Sequence, residues 1–249
     1  MIRIYLLDFC GQKAEESSFS AFPDFVINTK NPHLKRERIF SYMLLYYAYD
    51  EYTREKNKRK NSKYDNSCLQ KGRISDDLRE KSTDFIVPKL ERDENGRPYF
   101  SDSEIDFNLS HDAEMAALVI SDIGRVGIDI QRRSRTVSER LSEKVNSFYE
   151  SRAFASIIEK HDSLSAEIKF LSYSKEKGIY EIFRNDLLSE DKKDFFSRWS
   201  ALEAVSKADG RGLSLLFGTD FSGSQFFLRR ASVSDSDGNS YALTVSEML

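Results

Sequence analysis

Three short apolar runs follow one another in the middle of the chain, and they constrain its fold more than any other feature. They are Ile105 to Leu109, Met115 to Ile120 and Val126 to Ile130, and polar or glycine-containing turns separate them. Short apolar runs bounded by turn residues are typical of β-strands. We therefore expect three adjacent strands of a sheet.

Strand signals also lie near both ends of the chain. Apolar residues alternate with their neighbours from Ile2 to Leu7, which predicts a strand that is at least half buried. Phe226 to Val233 and Tyr241 to Val245 flank the turn residues Asp237-Gly238-Asn239. This arrangement predicts a C-terminal hairpin.

A further turn is predicted near residue 95. Phe85 to Leu90 has strand character, and the Asn95-Gly96 pair is a strong turn signal before Tyr99 and Phe100. We expect a hairpin or a tight corner at this place.

Helical spacing marks the regions between these strands. Leu34 to Tyr52 predicts a long amphipathic helix, and Thr53 to Lys63, with almost no apolar residues, predicts a solvated linker or a frayed helix end. Helices and loops are expected to dominate from Val137 to Lys193. Lys193 to Lys207 predicts another helix, and the order of all these elements predicts the α+β class.

The glycines Gly210 and Gly212 follow that last helix and supply the backbone freedom that a helix end needs.

Composition limits the classes of function. With 249 residues, of which 39% are hydrophobic, the chain can bury one large core or two smaller ones. The formal charge of −3 makes nucleic acid a poor default partner. Two cysteines fit a reducing compartment, and no apolar stretch approaches the ~20 residues that span a bilayer. We expect a cytoplasmic protein without a membrane segment.

The third of the three central runs carries an acidic residue at an unusual place. From Val126 to Gln131 the side chains alternate, so Asp129 and Gln131 share the face opposite to the apolar residues. Asp is disfavoured within strands. Asp129 is either a solvent-facing carboxylate or an oxygen ligand for a bound group.

A second stripe lies on the predicted helix near residue 200. Trp199, Glu203 and Lys207 are four residues apart and therefore line one helix face. Taken alone, the Glu and Lys form an ordinary surface pair and the Trp a core residue. The same side chains could also face a ligand.

Ser110 and His111 stand at the end of a predicted strand, where ligands are often bound. They do not form a hydrolase triad, because adjacent residues of a strand point to opposite sides. Lys35, Arg36 and Arg38 form a basic cluster that either meets an anion or is simply solvated.

Four segments, in this order, resemble the larger, surfactin-synthetase-activating type of 4'-phosphopantetheinyl transferase. Such enzymes move the phosphopantetheine arm of coenzyme A to a serine of a carrier protein, which is the function that the resemblance implies. The segments are Asn95-Gly96-Arg97-Pro98, Phe107-Asn108-Leu109-Ser110-His111, Val126-Gly127-Ile128-Asp129-Ile130, and Trp199 to Ala208 continuing into Gly210-Arg211-Gly212-Leu213.

The resemblance implies a monomer of two similar α+β subdomains related by a pseudo-twofold axis, with coenzyme A between them. The division falls near Gly124. It implies an N-terminal subdomain over residues 1–123 and a C-terminal subdomain over residues 124–249 that carries the metal and the catalytic residues.

The resemblance also implies roles for individual residues. Asp129 and Glu203 bind Mg²⁺, a cation that prefers hard oxygen ligands. Gln131 stands where many relatives have a third acidic ligand, and its carbonyl or a water that it holds can still offer an oxygen. Glu203 and Lys207 are the implied catalytic residues: Glu203, directly or through water, accepts the serine proton, and Lys207 stabilises the charge on the departing 3',5'-ADP.

Coenzyme A is the implied co-substrate. Its nucleotide phosphates would contact Arg97, Ser110, His111 and Lys207, and the resemblance adds Lys35 and Arg38.

The implied partner is an apo acyl or peptidyl carrier protein of fatty-acid, polyketide or nonribosomal-peptide synthesis. The segment between Gln131 and Trp199 is longer than is typical of the family, with extra polar residues from Glu159 to Lys193. We expect it to affect the choice of carrier. An alternative is a degenerate relative that binds coenzyme A or a carrier without catalysis, with Gln131 as its main support.

Overall fold

The computed structural model describes residues 1–13, 22–62, 89–134, 136–151, 154, 157–159, 168–184, 194–212 and 226–248. These residues form a mixed structure of helices and strands, which confirms the α+β class. The helices are α1 (Asp24–Ile27), α2 (Pro32–Ser62), α3 (Glu139–Tyr149) and α4 (Phe195–Asp209). The strands are β1 (Ile2–Asp8), β2 (Leu90–Arg92), β3 (Pro98–Phe100), β4 (Asp106–Asp112), β5 (Met115–Ser121), β6 (Val126–Arg132), β7 (Ile158–Glu159), β8 (Ile168–Ser174), β9 (Gly178–Ile182), β10 (Phe226–Ser234) and β11 (Ser240–Met248).

The long strands form two sheets. The first sheet has the order β4-β5-β1-β8-β9, and the second has the order β6-β11-β10-β7. β1 pairs antiparallel with β5 and parallel with β8, whereas β10 and β11 form the predicted C-terminal antiparallel hairpin. β2 and β3 form a separate hairpin around the predicted Asn95-Gly96 turn, where Gly96 has a φ of +84°.

The two sheets pack face to face, and each carries a helix on its outer face. One apolar cluster lies between the sheets and includes Leu6 of β1, Val119 of β5, Ile128 of β6 and Leu243 of β11. A second cluster lies between the first sheet and α2, and a third lies beneath α3 and α4. Both faces of β1 are therefore buried, because its alternate residues belong to different clusters.

The prediction that the three central strands are adjacent in one sheet is wrong for β6. β4 and β5 do pair as neighbours, but β6 pairs with β11 and lies at the edge of the second sheet. Its backbone N–H groups on the edge facing β4 donate to side chains of β4. The bonds are Val126 N to Asp106 Oδ2 (2.8 Å), Ile128 N to Asn108 Oδ1 (3.2 Å), Ile130 N to Ser110 Oγ (3.3 Å) and Arg132 N to Asp112 Oδ2 (2.8 Å).

These four bonds, which we call the side-chain ladder, replace the backbone ladder of an ordinary sheet. Every second residue of β4 supplies an acceptor to every second residue of β6. Buried backbone N–H groups need partners, so the ladder satisfies an edge that would otherwise be costly to bury. It joins the two sheets along their edges.

Gly127 allows α4 to touch β6 directly. A Cβ atom at residue 127 would lie 2.6 Å from the backbone nitrogen of Ala208 and closer still to the carbonyl oxygen of Ala204. The side of α4 that faces the sheet carries small buried residues, including Ser200, Ala201 and Ala204. The helix backbone therefore rests on the strand backbone without an intervening side chain.

The helix α2 continues to Ser62, so of the two alternatives for the segment after Tyr52 the solvated linker is wrong. Another prediction is corrected. The region expected to be helices and loops also contains the antiparallel pair β8 and β9. In β8, Lys169 forms an ion pair with Glu51 of α2. The strand was not predicted, because this partner lies far away in the sequence.

Parts of five predictions lie outside the described residues: positions 85–88 of the predicted strand, position 63 of the predicted linker, positions 160–167 and 185–193 of the predicted extra segment, position 193 of the predicted helix and Leu213 of the last motif. The division into residues 1–123 and 124–249 stays a prediction. β8 and β9 follow residue 124 in sequence but lie in the same sheet as β1, β4 and β5.

Across the part of the chain that the structure covers, none of the helices combines the length and the apolar character needed to cross a membrane.

We expect Asn108→Ala to lower the free energy of unfolding by about 1–3 kcal/mol, because the buried N–H of Ile128 loses its acceptor. Urea unfolding would measure the change. The control is Asn28→Ala, which removes an exposed amide and should change stability by less than about 0.5 kcal/mol. Equal effects of the two variants would contradict a stabilising ladder.

Candidate functional site

Asp129 is the buried centre of the candidate site. It lies on β6 with its side chain toward α4, while Val126, Ile128 and Ile130 point into the core between the sheets. This is the division of faces that the alternation predicts. The side chain of Asp129 is only 1% exposed. Burying a carboxylate is costly unless charges and hydrogen bonds compensate it.

Lys207 of α4 supplies the compensating charge. Its ammonium group lies 2.7 Å from Asp129 Oδ1, and it also donates to Ser110 Oγ (3.0 Å) and to the carbonyl oxygen of Ile128 (3.1 Å). Ser110 in turn donates to Asp129 Oδ1 at 2.9 Å. Ser110, Asp129 and Lys207 therefore form one hydrogen-bonded cluster that joins β4, β6 and α4.

Gln131 brings the second carboxylate into the cluster. Its amide nitrogen donates to Asp129 Oδ2 at 3.0 Å and to Glu203 Oε2 at 3.3 Å. Both carboxylate oxygens thus lie within hydrogen-bond reach of a single atom. Glu203 lies one helical turn before Lys207, at 3.9 Å between Oε2 and Nζ.

Glu203 has a perturbed acidity. Burial is the main cause and the nearby charge of Asp129 adds to it, whereas Lys207 acts in the opposite direction, and the net result raises the pKa of Glu203 to about 8. A carboxyl group that holds its proton near neutral pH is a candidate for proton transfer. Glu203 and Lys207 are therefore not an ordinary solvated surface pair.

A cleft of about 340 Å³ opens beside this cluster. Its volume lies within the range of small-molecule sites. Three of the four sequence motifs contribute to its wall. The lining residues are Asn95, Gly96, Arg97, Pro98, Asn108, Leu109, Glu203, Ser206, Lys207, Gly210 and Gly212.

Arg97 lines the cleft but is held by protein acceptors. One terminal nitrogen donates to the carbonyl oxygens of Lys207 (2.7 Å) and Ala208 (3.3 Å) at the end of α4. The other donates to Asp106 Oδ2 (2.6 Å) and to the carbonyl oxygen of Val126 (3.0 Å). With a side chain that is 8% exposed, Arg97 fixes the end of α4 to β6. Its contact with a phosphate stays a prediction.

Ser110 and Lys207 lie next to Asp129, whereas the predicted phosphate contacts His111, Lys35 and Arg38 lie away from the two carboxylates. His111 points to the opposite side of β4 from Ser110, where its Nδ1 lies 3.2 Å from Glu37 Oε2 of α2. Arg38 donates to the hydroxyl of Thr29. Lys35 lies on α2 as well, and neither Lys35 nor Arg38 is among the described residues that line the cleft.

Residues for which the sequence predicted no role also hold the site together. Ser200 donates to the carbonyl oxygen of Asp129 at 3.1 Å, and Asp106, Asn108 and Asp112 anchor β6 through the side-chain ladder. A signal for the ladder was present, because polar residues occupy every second position from Asp106 to Asp112. Alternation alone did not show whether they faced water or another strand.

The side chains fit a hard divalent cation in part. Among the described residues, no group of three His, Cys, Asp or Glu side chains could hold a metal ion. The converging groups are instead two carboxylates and one amide. Mg²⁺ usually takes one or two carboxylates and completes its shell with phosphate oxygens and water, so Asp129 and Glu203 are a chemically suitable pair. The amide of Gln131 turns its nitrogen toward them and has to rotate before its oxygen can join them.

We expect Arg97→Met to lower the free energy of unfolding by more than about 2 kcal/mol, because Asp106 and the last carbonyls of α4 lose their donor. The matched control is Arg92→Met on the same hairpin. Arg92 is exposed and contacts the ring of Phe25 and the carbonyl oxygen of Gly96, so its loss should cost about 1 kcal/mol or less. Similar values for both variants in the ligand-free protein would contradict a structural role for Arg97.

We expect Glu203→Gln to gain stability over the wild type as pH rises. The carboxyl group has a pKa of 4.5 in its ordinary state and about 8 in the fold, so its ionisation favours unfolding between these values. Stability present below about pH 5 in the wild type is lost by about pH 8, by at most about 1.4 kcal/mol per pH unit. Glu203→Gln lacks this loss.

Urea unfolding of both proteins from about pH 5 to about pH 9 would measure how their difference in stability depends on pH. The exposed Glu94→Gln is the control. A difference between wild type and Glu203→Gln that does not grow with pH would show that the pKa of Glu203 is not raised. A difference that continues to grow well above pH 8 would show that the pKa lies above about 8.

The chain is 26% identical over 132 residues to a Haemophilus influenzae protein named "Putative 4'-phosphopantetheinyl transferase". The match covers 51% of this chain and 43% of that relative, so it spans less than half of the relative's length. No protein-family model matches the chain. The similarity to this protein is therefore distant and covers about half of the present chain.

Proposed function

We propose that this protein transfers the 4'-phosphopantetheine group of coenzyme A to a serine of an apo acyl or peptidyl carrier protein and releases 3',5'-ADP, with the help of Mg²⁺. The observation that carries the proposal is the convergence of Asp129, Gln131, Glu203 and Lys207 beside a cleft. The distant similarity to a transferase of this kind supports the same reaction.

The charges of the cluster suit the transfer of a phosphoryl group. Asp129 and Glu203, with the amide oxygen of Gln131, would hold Mg²⁺, which when bound neutralises charge on a diphosphate. Lys207 would stabilise the charge that develops on the departing phosphate. Glu203, directly or through a water, would accept the serine proton.

The cleft is the proposed place of coenzyme A. It lies next to Glu203 and Lys207, and backbone groups around Gly96 and Gly210 form part of its wall. The proposal includes the larger type of the family, with two subdomains related by a pseudo-twofold axis. The α2 helix on the first sheet and the α4 helix on the second are compatible with such an arrangement.

The transfer itself can be tested directly. Mixed with an apo carrier protein, coenzyme A and Mg²⁺, the protein should add one phosphopantetheine group to the carrier serine, which mass spectrometry detects. Asp129→Ala should lower the rate by at least about 100-fold, because the buried anchor of the site is lost. The exposed Asp102→Ala is the matched control. Unaltered turnover of Asp129→Ala at low Mg²⁺ would refute the assignment.

A second candidate is a protein that binds coenzyme A or a carrier without catalysing transfer. Gln131 favours it, because an amide occupies a position where the resemblance implies a carboxylate, and the loss of a negative charge weakens a metal site. Binding of coenzyme A with no adduct on several carriers would favour this candidate over the transferase.

The replacement Gln131→Glu tests the metal site. We expect it to tighten Mg²⁺ binding by about tenfold, because a third carboxylate joins Asp129 and Glu203. Isothermal titration calorimetry would measure the affinity. Gln12→Glu makes the same change of charge after β1 and should leave the affinity unchanged. Weaker Mg²⁺ binding by Gln131→Glu would place the metal elsewhere.

A further inference from the structure

The ammonium group of Lys207 uses all of its donors inside the protein. Three acceptors lie within hydrogen-bond distance: Ser110 Oγ, the carbonyl oxygen of Ile128 and Asp129 Oδ1. An ammonium group has three N–H donors. In this arrangement none is left for a phosphate in the cleft, although the side chain of Lys207 is 29% exposed and lines that cleft.

The acceptor Asp129 Oδ1 is also an oxygen that a cation at this site needs. Its neighbour Oδ2 accepts from the amide of Gln131, and Glu203 Oε2 accepts from the same amide. The protein's own donors therefore occupy the carboxylate oxygens that converge here. Lys207 balances the buried charge of Asp129, since an unpaired carboxylate at this depth would be strongly destabilising.

We propose that Lys207 is a displaceable counter-ion: Mg²⁺ takes over the charge of Asp129, and the released ammonium group moves into the cleft to meet an anionic ligand. This inference rests on the proposed function, because it assumes Mg²⁺ at Asp129 and Glu203. It adds an exchange of one cation for another that makes Lys207 available only after the metal is bound.

The exchange has two consequences for binding. Lys207 competes with the metal for Asp129, so the ligand-free protein binds Mg²⁺ more weakly than two carboxylates alone would. The flexible four-carbon chain of Lys207 allows its ammonium group to move while α4 stays in place, since Gly127 and Arg97 hold the helix backbone independently of it.

Two measurements on the protein without coenzyme A test the exchange. Calorimetry with Mg²⁺ should show at least about tenfold tighter binding to Lys207→Met than to the wild type, because a competing charge next to Asp129 is gone. The control Lys56→Met removes a lysine of α2 that pairs with Asp122 and should leave the affinity unchanged.

Nuclear magnetic resonance of ¹⁵N-labelled lysine ammonium groups in the wild type gives the second readout, which does not depend on the folding of a variant. The Lys207 signal should be protected from exchange with water in the metal-free protein and lose this protection on saturation with Mg²⁺. A Lys207 signal that stays protected, or equal Mg²⁺ affinities of wild type and Lys207→Met, would overturn the exchange but leave the proposed function standing. No Mg²⁺ binding to either protein would overturn both.

Discussion

The edge of β6 is the constraint on which the rest of the structure depends. Its backbone N–H groups are taken by side chains of β4, and its carbonyl groups at Val126 and Ile128 are taken by Arg97 and Lys207. Both kinds of bond are made by side chains, because no strand among the described residues pairs with this edge through its backbone. The same bonds that join the two sheets therefore also place the residues of the candidate site.

Stability and chemistry are combined in the same side chains as a result. Ser110 is a rung of the side-chain ladder and a partner of both Asp129 and Lys207. Lys207 donates a hydrogen bond to the backbone carbonyl oxygen of Ile128 and balances the charge of the buried Asp129 carboxylate. Loss of activity in a variant of either residue would not by itself identify a chemical role, because the fold around β6 is disturbed as well. Measurements of binding and of unfolding are needed beside turnover.

Local sequence predicted the elements well but not which strands pair. The strand at the N-terminus, the central strands, the C-terminal hairpin and α4 were all visible, because each depends on the spacing of apolar residues within a short segment. The place of β6 was missed, since its partner β11 lies more than 100 residues later. β8 was missed because Lys169 looks like a surface residue until Glu51 of α2 is placed opposite it.

For the site, the opposite faces of Asp129 and Ile128 were predicted, whereas the position of His111 beside α2 depends on tertiary contacts.

The absence of a side chain at Gly127 determines how the distance between Asp129 and Glu203 is maintained. Backbone atoms of α4 and β6 are in direct contact there, so the spacing of the two elements is defined by atoms that are the same in every amino acid. Substitutions in the surrounding apolar clusters can then alter volume and rotamers without widening this gap. Substitutions in the core therefore leave the distance between the two carboxylates unchanged. Mutations in the core and mutations at the site can accumulate separately.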